Sequence, residues 1–209
     1  LKGTLPEFIK LEDVKAELHT HTTWSDGKLS IKEMAETAIA RGLRVLAITD
    51  HSASLGVAGG LTAEDLLEQR QEIDAVQREL GDRIRLLQGT EMEIRADGTL
   101  DYPDEVLEKL DIVIASLHTS LRQPRDKVTE RLIAAIRNPH VDIIGHPTGR
   151  LFPDREGADL DMEAIIAACQ ETGTILEINA SPERLDLNDL NARRALDVGC
   201  TLVISTDAH

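Results

Sequence analysis

VKAELHTHTTWSDG, residues 14–27, is a short apolar run that ends in His19 and His21 and opens into a turn-rich loop carrying Asp26. The same arrangement returns along the chain. RVLAIT (44–49) is followed by His51, DIVIASL (111–117) by His118, VDIIG (141–145) by His146, and TLVIST (201–206) by Asp207 and His209. IRLLQGTE (84–91) ends on Glu91, and TILEIN (174–179) completes the set. Each run is short and bounded by turn signals, as buried parallel strands are.

Between the runs lie helical patterns. Ser30 to Arg41 opens with Ser-x-x-Glu and stops at Gly42; Thr62 to Leu80 opens with Thr-x-x-Asp and stops at Gly81. These are capping boxes and helix-ending glycines. Residues 103–110, 124–137, 161–172 and 188–198 read as further helices, and RADG (95–98) as a hairpin turn. Strand then helix, repeated, gives an α/β fold with a parallel sheet and right-handed crossovers.

Periodicity alone leaves a closed barrel and an open doubly wound sheet both standing. The histidines separate them. Of seven in the chain, only His140 precedes a strand, and it is expected to be structural. The other six follow strand ends, which converge at one mouth in a barrel but spread along an edge in an open sheet. A barrel of parallel strands with outer helices, and one site, is the reading that fits.

The pairs His19-x-His21 and Asp207-x-His209 place both side chains of each pair on one side of an extended chain. Imidazole mixed with carboxylate suits zinc, manganese or iron, whereas magnesium and calcium favour oxygen alone. His19, His21, Asp26, His51, Glu91, His118, His146, Asp207 and His209 are too many ligands for one four-coordinate ion, so two or three divalent ions are expected. Asp50 alternates away from His51 and is expected to play a supporting part. No Ser-His-Asp or Cys-His arrangement offers a protein nucleophile.

Composition bounds the rest. The 209 residues suffice for one core, and with aromatics at 2% it must be aliphatic. A formal charge of −15 excludes nucleic-acid binding through a basic patch alone. Three bound divalent ions would leave about −9, still repelling a polyanion. No apolar stretch approaches the roughly 20 residues of a membrane span. Cys169 and Cys200 are too few for a disulfide framework and read as buried small hydrophobes, which suits a cytoplasmic setting.

HTH (19–21) followed by SDG (25–27), TDH (49–51), GTE (89–91), SLH (116–118), GHP (145–147), EIN (177–179) and STDAH (205–209) resemble the motifs of the PHP (polymerase and histidinol phosphatase) superfamily along essentially the whole chain. ELHTHTTWSDG, DGTLDYPDEVL and LEINASPERLDLND look most like the C-terminal PHP domain of bacterial and archaeal family X DNA polymerases. The resemblance implies a distorted (β/α)7 TIM-like barrel over residues 16–209, with 1–15 as the linker from an upstream polymerase module. It implies a trinuclear site holding manganese or zinc, with iron also allowed. His19, His21, Glu91 and Asp207 would hold one ion. Glu91 would bridge to a second completed by His118 and His146, and Asp26, His51 and His209 would hold the third. Glu91 rather than Glu93 matches the GTE motif. Many relatives have His where this chain has Asp26, and a carboxylate there favours manganese.

Water activated by such ions would attack phosphorus in line, with Glu91 and Asp207 as the catalytic carboxylates. Arg150 and Arg184, after strands five and six, are candidates for binding the substrate phosphate. Trp24 is expected to pack on a neighbouring loop, with stacking on a base as the alternative. The implied activity is 3′→5′ exonuclease action or 3′-end processing on DNA. The runner-up is a small-molecule phosphatase of the histidinol-phosphate type, and a third reading is a non-catalytic, metal-stabilised domain of a polymerase.

Overall fold

The computed structural model describes residues 7–209, so residues 1–6 of the expected linker lie outside it. Seven strands run among the described residues: β1 (Ala16–Glu17), β2 (Val45–Ile48), β3 (Arg85–Glu93), β4 (Ile112–Ser116), β5 (Ile143–Ile144), β6 (Ile175–Asn179) and β7 (Leu202–Ser205). Six α-helices follow them in alternation: α1 (Ile31–Ala40), α2 (Ala63–Leu80), α3 (Asp104–Leu107), α4 (Arg125–Ile136), α5 (Met162–Thr172) and α6 (Asp189–Asp197). The strands are parallel and ordered as in the sequence. The sheet curls until its ends meet in a nearly closed (β/α)7 barrel. A single parallel bridge joins Thr20 to Ala208, where the His21 amide donates to the Ala208 carbonyl at 2.8 Å. Glu17 strengthens this seam by accepting from the Thr206 amide and hydroxyl.

The helix boundaries follow their caps. Ser30 and Glu33 complete a capping box on α1, as Thr62 and Asp65 do on α2. Gly173 ends α5 in the left-handed conformation, at φ 82°. The 95–98 turn forms as expected, with Ile94 bridging antiparallel to Leu100. Three expectations were too long. β1 and β5 each pair over only two residues, because the backbone leaves the ladder as it turns toward the site. The helix expected over 103–110 keeps one α-turn. Asp111 must already donate to Gln88 as β4 begins, so the chain tightens through Lys109 and Leu110 into three-residue turns.

Period-two alternation sorts each strand into an outer and an inner face. Val113 and Ala115 face α4, and Leu46 and Ile48 face α1 and α2. Inside the barrel Leu18, just past β1, and residues of every other strand form an aliphatic plug: Ala47, Leu87, Ile112, Ile114, Ile143, Ile175 and Val203. One step up, the inward positions are mostly small: Thr49, Gly89, Ser116, Gly145 and Ser205, with Glu177 the exception. A further step up come His51, Glu91 and His118. The small layer leaves room for imidazoles to reach down. A Cβ on Gly145 would lie 2.5 Å from Ser116 Oγ and 3.4 Å from the His19 ring.

Candidate metal centre

The nine expected ligands are brought to one mouth of the barrel, around Glu91. Its two carboxylate oxygens face different partners. Oε1 faces His118 Nε2 at 3.1 Å and His146 Nε2 at 2.8 Å. Oε2 faces His51 Nδ1 at 3.1 Å, His19 Nε2 at 3.3 Å and His21 Nε2 at 3.4 Å. Asp207 Oδ1 meets the same two nitrogens of His21 and His19, at 3.1 and 3.4 Å. Asp26 Oδ1 lies 3.4 Å from His209 Nε2 and 3.6 Å from His51 Nε2. Three groups can each hold an ion: His19, His21, Glu91 and Asp207; His51, Glu91 and His118; and His21, Asp26, His51 and His209; His146 belongs to none of them and reaches the centre through Glu91 Oε1.

Two observations test whether this set fits metal. Both oxygens of Glu91, Nε2 of His19, Nδ1 of His21 and His51, and both ring nitrogens of His146 are buried without a hydrogen-bond partner. Orphaned polar atoms cost about 1–3 kcal/mol each, so a fold that gathers seven of them needs another partner for them. A tetrahedral ion with bonds of about 2.1 Å holds its ligand atoms about 3.4 Å apart, which is the spacing found around Glu91 Oε2 and Asp207. The residues fit divalent ions.

Neighbouring groups point the lone pairs inward. His19 Nδ1 bonds to Glu177 Oε1 at 2.8 Å, His118 Nδ1 to Glu93 Oε2 at 2.8 Å, and His209 Nδ1 donates to the Asp207 carbonyl at 2.9 Å. Each leaves Nε2 facing the centre. Glu177 also accepts from the His146 amide at 2.5 Å, so one carboxylate fixes two strand ends. Glu93 accepts from the His118 amide and from the amide and hydroxyl of Thr119. Arg131 of α4 backs it, 3.3 Å from Glu93 Oε1, while donating to the carbonyls of Ile94 and Thr119. Asp50 points away and organises the Asp26 loop, accepting from Thr22, Ser25 and Gln69. His146 and Asp207 sit at φ 24° and 54°, strained backbone of the kind found at functional sites.

The electrostatics ask for positive charge. Burial works against charge on His118, yet Glu91 and Glu93 raise it to about 9. His19 is also raised well above the usual range, with burial outweighed by Asp207, Glu177 and Glu91. Burial dominates at His21 and pulls it to about 4. Against burial, His118, His19, His51 and His146 hold Glu91 well below ordinary carboxylates, and His19 and His21 do the same for Asp207. Metal-free, the cluster takes up protons where cations would sit.

The two arginines part company. Arg184 reaches the site, with Nε 3.3 Å from Asp207 Oδ2 and a buried, unpartnered Nη1. Arg150 does not; it donates to the carbonyls of Arg184 and Leu185 and lies over Phe152, bracing the loop that carries Arg184. Trp24 packs between the core clusters and donates to Glu72. His140 stays outside the three metal-holding groups, its amide tied to Asn138. Sequence reasoning missed Glu177 and Arg131. An acid in the middle of an otherwise apolar strand was a usable signal for Glu177; a helical arginine carried none.

The family profile described as PHP domain matches residues 17–181. The chain is 52% identical over 203 residues to a Bacillus subtilis protein named DNA polymerase/3′-5′ exonuclease PolX, covering 97% of this chain but 35% of that one. It is 35% identical over 205 residues to a Thermoanaerobacter protein named "Probable phosphatase", covering 92% of this chain and 78% of the relative. Among solved structures, a histidinol phosphate phosphatase from Lactococcus lactis, complexed with zinc, L-histidinol and phosphate, superposes with a TM-score of 0.66 at 22% identity, over 93% of this chain and 86% of that one. That likeness concerns the fold. With four-fifths of the sequence inside the profile and half of it shared with one relative, the chain belongs to the PHP domain family.

Proposed function

We propose that this PHP domain, a hydrolase of phosphate esters, trims DNA 3′ ends as a 3′→5′ exonuclease attached to an upstream polymerase module. The observation that carries the hydrolytic reading is Glu91, whose two oxygens are divided between separate sets of imidazoles. A carboxylate so placed would be shared between two groups of residues that hold divalent ions, and those ions would supply the Lewis acidity that phosphate-ester hydrolysis uses. The identity with PolX supports the nucleolytic reading, and the chain spans 35% of that protein's length, leaving room for a polymerase module. His19, His21, Glu91 and Asp207 would hold one ion, Glu91, His118 and His146 a second, and Asp26, His51 and His209 the third. Divalent manganese or zinc bound there supplies Lewis acidity and a neutral-pH source of nucleophilic hydroxide. The chain's residues do the positioning. Glu177 and Glu93 fix the imidazole rings, Glu91 and Asp207 supply negative charge that would hold the ions, and Arg184 is placed to hold a phosphate oxygen. Among the described residues no helix is long and apolar enough to cross a membrane, and the two buried free cysteines suit a cytoplasmic repair enzyme.

A histidinol-phosphate-type phosphatase is the second reading, favoured by the relatives named as phosphatases. A purely structural metal domain is disfavoured by the cleft of about 250 Å³ that opens onto Glu91, His118 and Asp207, since structural sites are closed. The test is a manganese-loaded chain given a 5′-labelled oligonucleotide and, separately, histidinol phosphate. A ladder shortening from the 3′ end is expected. An intact oligonucleotide beside rapid phosphate release would overturn the exonuclease in favour of the phosphatase.

A further inference from the structure

The cleft above Glu91 has two unlike walls. One is ionic, with His51, His118, Arg184 and Asp207; the other is Leu55, Val57 and Ala58, from the segment between β2 and α2. Val57 is fully exposed and Ala58 is buried. A single exposed valine means little, but this one stands on a braced support. The Ser52 amide donates to the carbonyl of Glu91 itself at 3.1 Å, and the Leu61 amide to the carbonyl of His51 at 2.8 Å. Ser54 donates to Asp101, which Arg95 pins at 2.7 Å. The two arms of the loop touch where Gly60 packs on Ser52; a Cβ there would lie 1.9 Å from the Ser52 oxygen. The apolar tip is therefore held by the same backbone that presents Glu91 and His51.

A phosphate ester whose phosphorus reaches Glu91 puts its oxygens against the ionic wall, and the organic group must lie along the remaining one. Leu55 and Val57 offer that group no side-chain donor or acceptor. A polyol would lose hydration there without replacement, whereas a flat, weakly hydrated ring gains from each apolar contact. Resting on the function proposed above, we infer that Leu55 and Val57 form a subsite for a planar ring beside the scissile phosphate, a nucleobase in that reading.

Calorimetric titration of the manganese-loaded chain with thymidine 5′-monophosphate and with ribose 5-phosphate tests it. Both ligands carry a phosphate on a pentose, and only one carries a base. The base-bearing ligand is expected to bind about five- to tenfold more tightly, the scale of one ring face leaving water. In the double variant Leu55→Ser/Val57→Ser the preference disappears, ribose 5-phosphate affinity is unchanged, and metal content and melting temperature stay at parental values. Equal affinities in the parent, or a preference that survives the double variant, overturn the subsite. The oligonucleotide assay stands apart from this. A chain that prefers the base-bearing ligand yet leaves 3′ ends intact keeps the ring subsite and loses the exonuclease.

Discussion

Glu91 and Glu93 leave β3 on the same inward face, two residues apart, and do different work because of what surrounds them. Glu91 has only imidazoles around its oxygens and no hydrogen-bond partner. Glu93 is saturated by His118, Thr119 and Arg131. Glu91→Gln removes the charge proposed to serve two ions, so turnover should fall by orders of magnitude and two ions should be lost together, read by elemental analysis. Glu93→Gln should retain all ions but weaken the one at His118 by about 10–100-fold, the usual cost of disturbing a ligand's supporting carboxylate. Equal metal loss from both variants would mean the carboxylates are exchanged in role. The candidate ligands were legible because a histidine after an apolar run is a local signal. The Glu177 and Arg131 contacts were not, because each depends on a partner in a distant strand or loop.

At the scale of elements, capped helices and β-branched runs were readable, and the places that deviated are where the strands deliver ligands. β1 and β5 lose their ladders just before His19 and His146, a cost that neither composition nor period reveals. α4 shows how an outer helix reaches the mouth. Buried Arg131 donates to the carbonyls of Ile94 and Thr119 and lies against Glu93. Arg131→Met leaves Glu93 with His118 and Thr119 alone and strips the carbonyls of Ile94 and Thr119 of their donor, so unfolding in urea should show a loss of about 1–3 kcal/mol. Metal affinity should fall in parallel through the His118 ring. A variant with parental stability would show that α4 merely packs on the barrel.

For the whole molecule, pH and metal act in opposition. His118 is raised to about 9 and His19 well above its usual value. A raised imidazole contributes stability that is complete below its unfolded value near 6.5 and is lost as pH rises through the folded value. His21, lowered to about 4, acts only on the acid side of that window. The metal-free chain should therefore melt at progressively lower temperature from pH 6.5 to 9. With manganese or zinc present the trend should flatten or reverse, because ions displace those protons and bind better as pH rises. Calorimetric melts with and without chelator distinguish the two, and a flat metal-free profile would contradict the protonated cluster.

The seam between β1 and β7 carries one backbone bridge, yet His21 and Asp207 meet across it although 186 residues separate them in the chain. An ion gripping both behaves as a reversible cross-link, a clasp fastening the two ends of the polypeptide. Closing a loop of that size restricts the unfolded chain by about 5 kcal/mol in the chain-entropy treatment used for disulfides. A cation held there for chemistry at the mouth would thereby also hold the circle of strands shut, and its release is expected to loosen β1 and β7 before the rest of the barrel.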